Sequence, residues 1–197
     1  MRKSIVVLMI LAVLVIFPLL AFGKSTKSVD FYLHKGDLAV MAGIGLSYHG
    51  SITIYPGAEY FVYETKITDF LPLQFGVAGK GFLNFYSSTD SAGDKYGWFA
   101  YGLGGFGTVH WGLKGANLDI PDFLKKVDIY WGLGLVYTHF KLTGDWASLN
   151  PYVDTGGAIG IASYGGFNYF LTDNLAIFLE GNYWSYAGGT IGIYYKL

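Results

Sequence analysis

From Lys35 onward, bulky apolar residues alternate with small or polar ones in segments of about ten, and turn residues separate the segments. A period of two is the signature of a strand with unlike faces. The pattern predicts eight strands, near 37–48, 52–66, 73–86, 97–111, 128–141, 155–170, 175–186 and 190–197. In the first, Leu38, Val40, Ala42, Ile44 and Leu46 share one face, and Ala39, Gly43, Gly45 and Ser47 the other. In the fifth, Ile129, Trp131, Leu133 and Leu135 oppose Asp128, Gly132, Gly134 and Thr138. The last stretch, TIGIYYKL, keeps the alternation to Leu197, so something apolar must cover that face.

Charge decides what covers it. The few strand charges, Glu59, Lys80, Glu180 and Lys196, all fall on the small-residue faces of the second, third, seventh and eighth strands. A barrel in water would carry its charges outside. Here the bulky apolar face lacks them, so it is the outer face and lipid is its solvent. The fold class is all-β, an eight-stranded antiparallel transmembrane up-and-down β-barrel. The connections place the segment before the barrel on the periplasmic side. Periplasmic turns fall at TDFLPL (68–73), 113–127 and LTDN (171–174), and outer loops at HGS (49–51), 87–96, 142–154 and AGG (187–189). Within 113–127, DIPDFLKK reads as a helical turn opened by Pro121, with Asp119 and Asp122 early and Lys125 and Lys126 late. Outward aromatics near the periplasmic edge, Trp111, Trp131, Tyr169 and Tyr195, suit an interfacial girdle.

The start of the chain selects a compartment. Arg2 and Lys3 precede an apolar run from Ile5 to Phe22, and Ala21 and Gly23 supply small residues for cleavage. This is the layout of a Sec-type signal peptide over 1–23, followed by a short periplasmic segment over 24–36 and the barrel over 37–197. An uncleaved helical anchor is the alternative. Cleavage would remove two of 13 basic residues and leave a net charge of −3 against 14 acidic ones. With no basic patch, nucleic acid is not an expected partner. The chain has no Cys, which excludes disulfides, thiol catalysis and Cys-ligated metals. It has 17 Tyr, 15 Phe and 29 Gly but only 14% charged residues, against about 25% in a soluble domain.

The ending T-x-G-x-x-Y-x-L, with Thr190, Gly192, Tyr195 and Leu197, resembles the C-terminal signal read by the barrel-assembly machinery, although Leu replaces the usual final Phe or Trp. YFLTDNLAIFLEGNYW (169–184) is similar to the turn and strand of small barrels of the OmpA/OmpX/OmpW type. The resemblance implies a monomer in the outer membrane of a diderm bacterium, with outer-membrane lipid and, during insertion, the assembly machinery as partners.

Candidate chemistry is thin. GLGGFG contains G-x-G-x-x-G at Gly102, Gly104 and Gly107, but inside a strand and with no helix after it, so no cofactor is expected. The histidines, His34, His49, His110 and His139, fall on different segments without metal-ligand spacing and read as rim residues. No catalytic residue or metal site is assigned and no enzyme activity is expected. The interior charges are the sharper signal. Hairpin arithmetic places Glu59 opposite Lys80 and Glu180 opposite Lys196, two ion pairs in a filled polar lumen. The role expected is structural or surface-interacting. A narrow channel or lateral-diffusion route for small solutes stays open, as does an adhesin acting through loops 87–96 and 142–154.

Overall fold

The computed structural model describes residues 29–46, 50–145, 156–185 and 187–197. The proposed signal peptide, His49 and most of the loop 142–154 lie outside them. The eight strands are β1 (Leu38–Leu46), β2 (Ile52–Thr68), β3 (Leu71–Thr89), β4 (Lys95–Gly112), β5 (Val127–Gly144), β6 (Gly157–Phe170), β7 (Leu175–Asn182) and β8 (Gly189–Lys196). Each pairs antiparallel with its neighbour in the chain, and β8 returns to pair with β1, closing the barrel. Every strand therefore has a partner on both sides, as lipid requires. Between β4 and β5 lies one helical turn, α1 (Asp122–Lys125), with Pro121 at its N-cap. Lys125 holds the Asp122 carboxyl below its ordinary range.

The alternation sorts side chains as expected. Ile54, Val77, Leu103, Leu135, Ile161, Ile177 and Ile191 are exposed on the outer wall, while Glu59, Lys80, Asp128 and Glu180 are buried inside. Apolar outside and charged inside is the arrangement of a membrane barrel, and this chain is one.

The ladders differ from hairpin arithmetic in two places. The turn after β2 is the expected one, with Thr68 opposite Leu71. Register shifts between Lys66 and Thr68 and between Phe61 and Tyr63 then move the partnership by two residues, so Lys80 faces Gly57 and Glu59 faces Ala78. Pro72 sits inside β3 beside the first of these irregularities, where its missing N–H is tolerated. At the other end AGG is no tight hairpin. β7 stops at Asn182, and the last rung joins Gly181 to Gly189. Asn182 Oδ1 accepts from Ser185 N and Oγ, and Ser185 Oγ accepts from Ala187 N, so side chains shape a wider loop. Glu180 consequently faces Thr190 rather than Lys196. Both net displacements are even, so Glu59, Lys80, Glu180 and Lys196 keep their faces, and only the β2 residues between the two shifts, Tyr63 to Lys66, change parity.

Strand lengths are unequal. β2 to β5 run to 17–19 residues, against 9 in β1 and 8 in β7 and β8. About ten tilted residues cross a bilayer. Beyond the last β2–β3 rung, Ile52 to Phe85, the β3–β4 ladder continues to Thr89 and Lys95. A three-stranded wall, β3–β4–β5, thus stands above the upper mouth.

Closure depends on a close approach of backbone at the seam. Gly43 and Gly192 face each other across β1 and β8, and a Cβ on Gly192 would overlap the Ala42 carbonyl oxygen and lie 2.5 Å from Gly43 Cα. Gly79, on the outer wall, has nothing within 4 Å of such a Cβ. Gly192→Val should therefore open the seam at a cost above the roughly 1–3 kcal/mol of ordinary overpacking. Refolding in detergent should yield at least several-fold less of the compact, fast-migrating band that unheated barrels give on gels. Gly79→Ala should leave that band unchanged. Equal yields for the two variants would contradict the seam.

Candidate functional site: the charged lumen

The inward faces of β2, β3, β4, β5, β7 and β8 bring together what the chain keeps apart. Glu59, Lys80, Thr108, His110, Asp128, Tyr130, Glu180 and Tyr194 are all buried, and they form two linked groups.

The first centres on His110, which is 1% exposed. Its Nδ1 lies 2.7 Å from Asp128 Oδ2 and its Nε2 2.9 Å from Glu59 Oε1. Asn168 Nδ2 donates to the same Asp128 oxygen at 2.9 Å. Thr108 Oγ1 donates to Glu59 Oε1, and Tyr194 OH donates to Glu59 Oε2 at 3.1 Å. A neutral imidazole has one N–H, so two carboxylate-facing nitrogens are the donor set of an imidazolium. The ring has no lone pair left for a metal ion, and among the described residues no group of His, Asp and Glu could hold one.

The second group is an ion pair across the lumen. Lys80 Nζ bonds Glu180 Oε2, with both side chains buried. Tyr130 OH donates to the same carboxylate oxygen at 3.1 Å, and Nζ lies 3.5 Å from the Tyr164 ring centre. The groups touch through Tyr130, whose ring stacks on His110 at 5.3 Å.

The expected pairs are thereby corrected. Lys80 pairs with Glu180 instead of Glu59, because the β2 shifts set Lys80 two residues away from the rung that Glu59 occupies. Glu59 instead meets His110. Lys196 turns to the lower mouth, where Nζ donates to the Tyr32 carbonyl at 2.7 Å and lies 3.7 Å from Asp37. His110 is no rim residue, although His34 and His139 are partly exposed. Parity could have located it, since Thr108 and His110 share the small-residue face of β4. Asp128, two residues before Tyr130, the partner of His110, was legible on the same grounds.

Apolar layers close the network from both ends. Toward the upper mouth, Tyr55, Phe82, Phe106, Tyr164 and Trp184 pack together, with Phe82 to Trp184 at 5.2 Å and Phe106 to Tyr164 at 4.9 Å, both edge-on. Below, Phe61, Phe170, Phe178 and Tyr194 pack around Leu33, which belongs to the segment before β1.

On the outer wall, Trp111, Tyr169 and Tyr195 sit at the lower ends of their strands, opposite Ile129, Val127 and Leu175, and Trp131 lies one step higher. Trp111 Nε1 donates to the Phe70 carbonyl at 3.1 Å. A second outward aromatic group, unforeseen from sequence, lies near the upper ends of β3 to β5. Phe85 packs on Phe99 at 5.3 Å, and Tyr101 on His139 at 5.1 Å. Thr190 and Gly192 lie on the inward face of β8, Thr190 buried, whereas Tyr195 and Leu197 are exposed on the outside.

No protein-family model matches the chain, and neither does any curated protein. Among solved structures it is similar to Ail, the attachment invasion locus protein of Yersinia pestis, solved with the heparin analogue sucrose octasulfate. That match has 13% identity over 83% of this chain and 100% of the other, with a TM-score of 0.47. A de novo designed transmembrane β-barrel matches with 20% identity over 84% of this chain and 98% of its own, at 0.46. The outer membrane enzyme PagL matches with 10% identity over 81% and 98%, at 0.44. At these values the likenesses carry neither an activity nor a ligand to this chain.

A buried pair that loses one partner leaves a bare charge, at a cost of about 3–5 kcal/mol, while an apolar replacement of both is often near neutral. Lys80→Met and Glu180→Leu should each lower stability by about that amount in urea unfolding from lipid vesicles, and the double variant should recover most of it. Additive losses would mean that the two charges act separately.

Proposed function

We propose that this chain is an outer-membrane barrel with a structural or surface-interacting role and a lumen that passes no solute. The observation that carries this reading is the stacking of layers inside the barrel. A hydrogen-bonded charge network fills the middle, and packed aromatic side chains stand above and below it. Eight strands leave room only for side chains or one small ligand, and here side chains take that room. A non-catalytic role is supported by the same contacts, because both His110 nitrogens are engaged by carboxylates and neither is aimed at a hydroxyl group.

Surface interaction rests on the β3–β4–β5 wall. Its inner face carries Tyr86, stacked on Trp98 at 4.2 Å, with Tyr96 6.1 Å away. The loop it bears, expected over 87–96, is shorter than that and is shaped by Asp90 Oδ1, which accepts from Ala92 N and Asp94 N. Export to the outer membrane rests on the leader over 1–23, and recognition by the assembly machinery on Thr190, Gly192, Tyr195 and Leu197.

The test is single-channel recording of the pure refolded protein in planar bilayers. The sealed lumen predicts no reproducible conductance steps in either polarity, and none in the Lys80→Met variant. Discrete, reproducible steps from the unmodified protein would favour the channel reading and overturn this one.

A further inference from the structure

Residues 29–35 form no rung of the barrel, yet Phe31 and Leu33 are 3% and 1% exposed. They lie in the lower mouth, and what holds them there differs in kind from what holds a strand. Gln74 Nε2 donates to the Leu33 carbonyl and Lys196 Nζ to that of Tyr32. The Tyr32 ring stacks on Phe170 at 4.2 Å, and Lys114 Nζ lies 4.5 Å from the Tyr32 ring centre while bonding Asp30 at 2.9 Å. Lys114 and Asp30 lie outside the barrel wall, and the bond to Asp30 holds the ammonium above its ordinary range. Backbone bonds to the barrel resume only at Gly36, whose N–H donates to the Phe61 carbonyl, and at Asp37, whose carbonyl accepts from Phe61 N–H. Gly36 has a φ of +97°, a conformation that favours glycine.

We propose that residues 29–35 are a displaceable strap, hinged at Gly36, that gates water and small-solute access from the lower mouth to the Glu59–His110–Asp128 layer. Lifting it breaks side-chain contacts, the bonds from Gln74 and Lys196, the Lys114–Asp30 pair and the contacts of His34 and Lys35 N–H with the Glu64 carboxylate, but no rung of the ladder. Segments held in that way open locally while the rest stays folded. Beneath the strap lies Phe61, edge-on to His110 at 5.0 Å, so one residue layer separates the strap from the charges. The aromatic layer above Tyr130 is untouched by the motion. The opened strap therefore admits solute from one side only, and the barrel stays closed to flow.

The chain has no Cys, which allows a clean probe. Thr108→Cys places one thiol beside Glu59, and its rate of modification by a small cationic methanethiosulfonate is measured in detergent micelles. Leu33→Ala, which removes the strap's buried anchor without touching the ladder, should raise that rate at least tenfold, while the heat-induced gel shift of the barrel is retained. Lys114→Ala should raise it several-fold, and Leu33→Met should leave it near the parent value. An unchanged rate in Leu33→Ala with the gel shift intact would show that the strap does not guard this layer. Loss of the gel shift in Leu33→Ala would show that the segment is part of the wall rather than a movable strap. Either result overturns the proposal.

Discussion

A charge inside a narrow barrel must be neutralised by a partner, because there is too little water to solvate it. A closed ladder in lipid turns every other side chain inward, and in this chain that inward set includes Glu59, Asp128 and Glu180. Three carboxylates in one lumen demand cations at matching heights. Lys80 answers Glu180, and His110, held between Glu59 and Asp128, is shared by the other two, whose remaining charge is met by hydroxyl and amide donors. The remaining polar groups follow from this need. Tyr194 donates to the Glu59 oxygen that His110 leaves free, Thr108 and Asn168 add donors to the carboxylate oxygens that His110 faces, and Tyr130 joins the two groups by stacking on one and bonding the other.

The same constraint explains why both ends are capped. Water entering a half-neutralised network would weaken each pairing by raising the local dielectric. The aromatic layer of Phe82, Phe106, Tyr164 and Trp184 excludes it above, and Leu33 among Phe61, Phe170 and Phe178 excludes it below. The two caps are built differently. Strand and loop residues make the upper one, with Trp184 placed by the side-chain-bonded turn after Asn182. The lower one borrows a segment that precedes β1 and has no ladder of its own.

What could be read from the sequence was parity, and what could not was height. Alternation alone names the face of Glu59, Lys80, His110 and Glu180, and the structure keeps all four inside. Height along the axis depends on register, and the irregularities at Phe61/Tyr63 and Lys66/Thr68 leave no mark in the hydrophobic pattern. Because the two one-residue shifts add to an even displacement, the faces of Glu59 and Lys80 survive while their partners change. The wide turn before β8 escaped notice for a similar reason, since Asn182, Ser185 and Ala187 close it through side chains and not through a turn-forming dipeptide. Burial of Phe31 and Leu33 was hidden because the segment before a barrel carries no periodicity that marks its docking site. Breadth of the outer wall, by contrast, was legible throughout, because lipid tolerates little but apolar residues there.

The lumen holds a histidine charged by two carboxylates and sealed from water. The most direct measurement is the ring 15N chemical shift of His110 in nanodiscs at neutral pH, assigned against His110→Gln. Both ring nitrogens should be protonated, with slow exchange of their protons with solvent. One unprotonated ring nitrogen, or ring protons that exchange as fast as those of partly exposed His34, would contradict it.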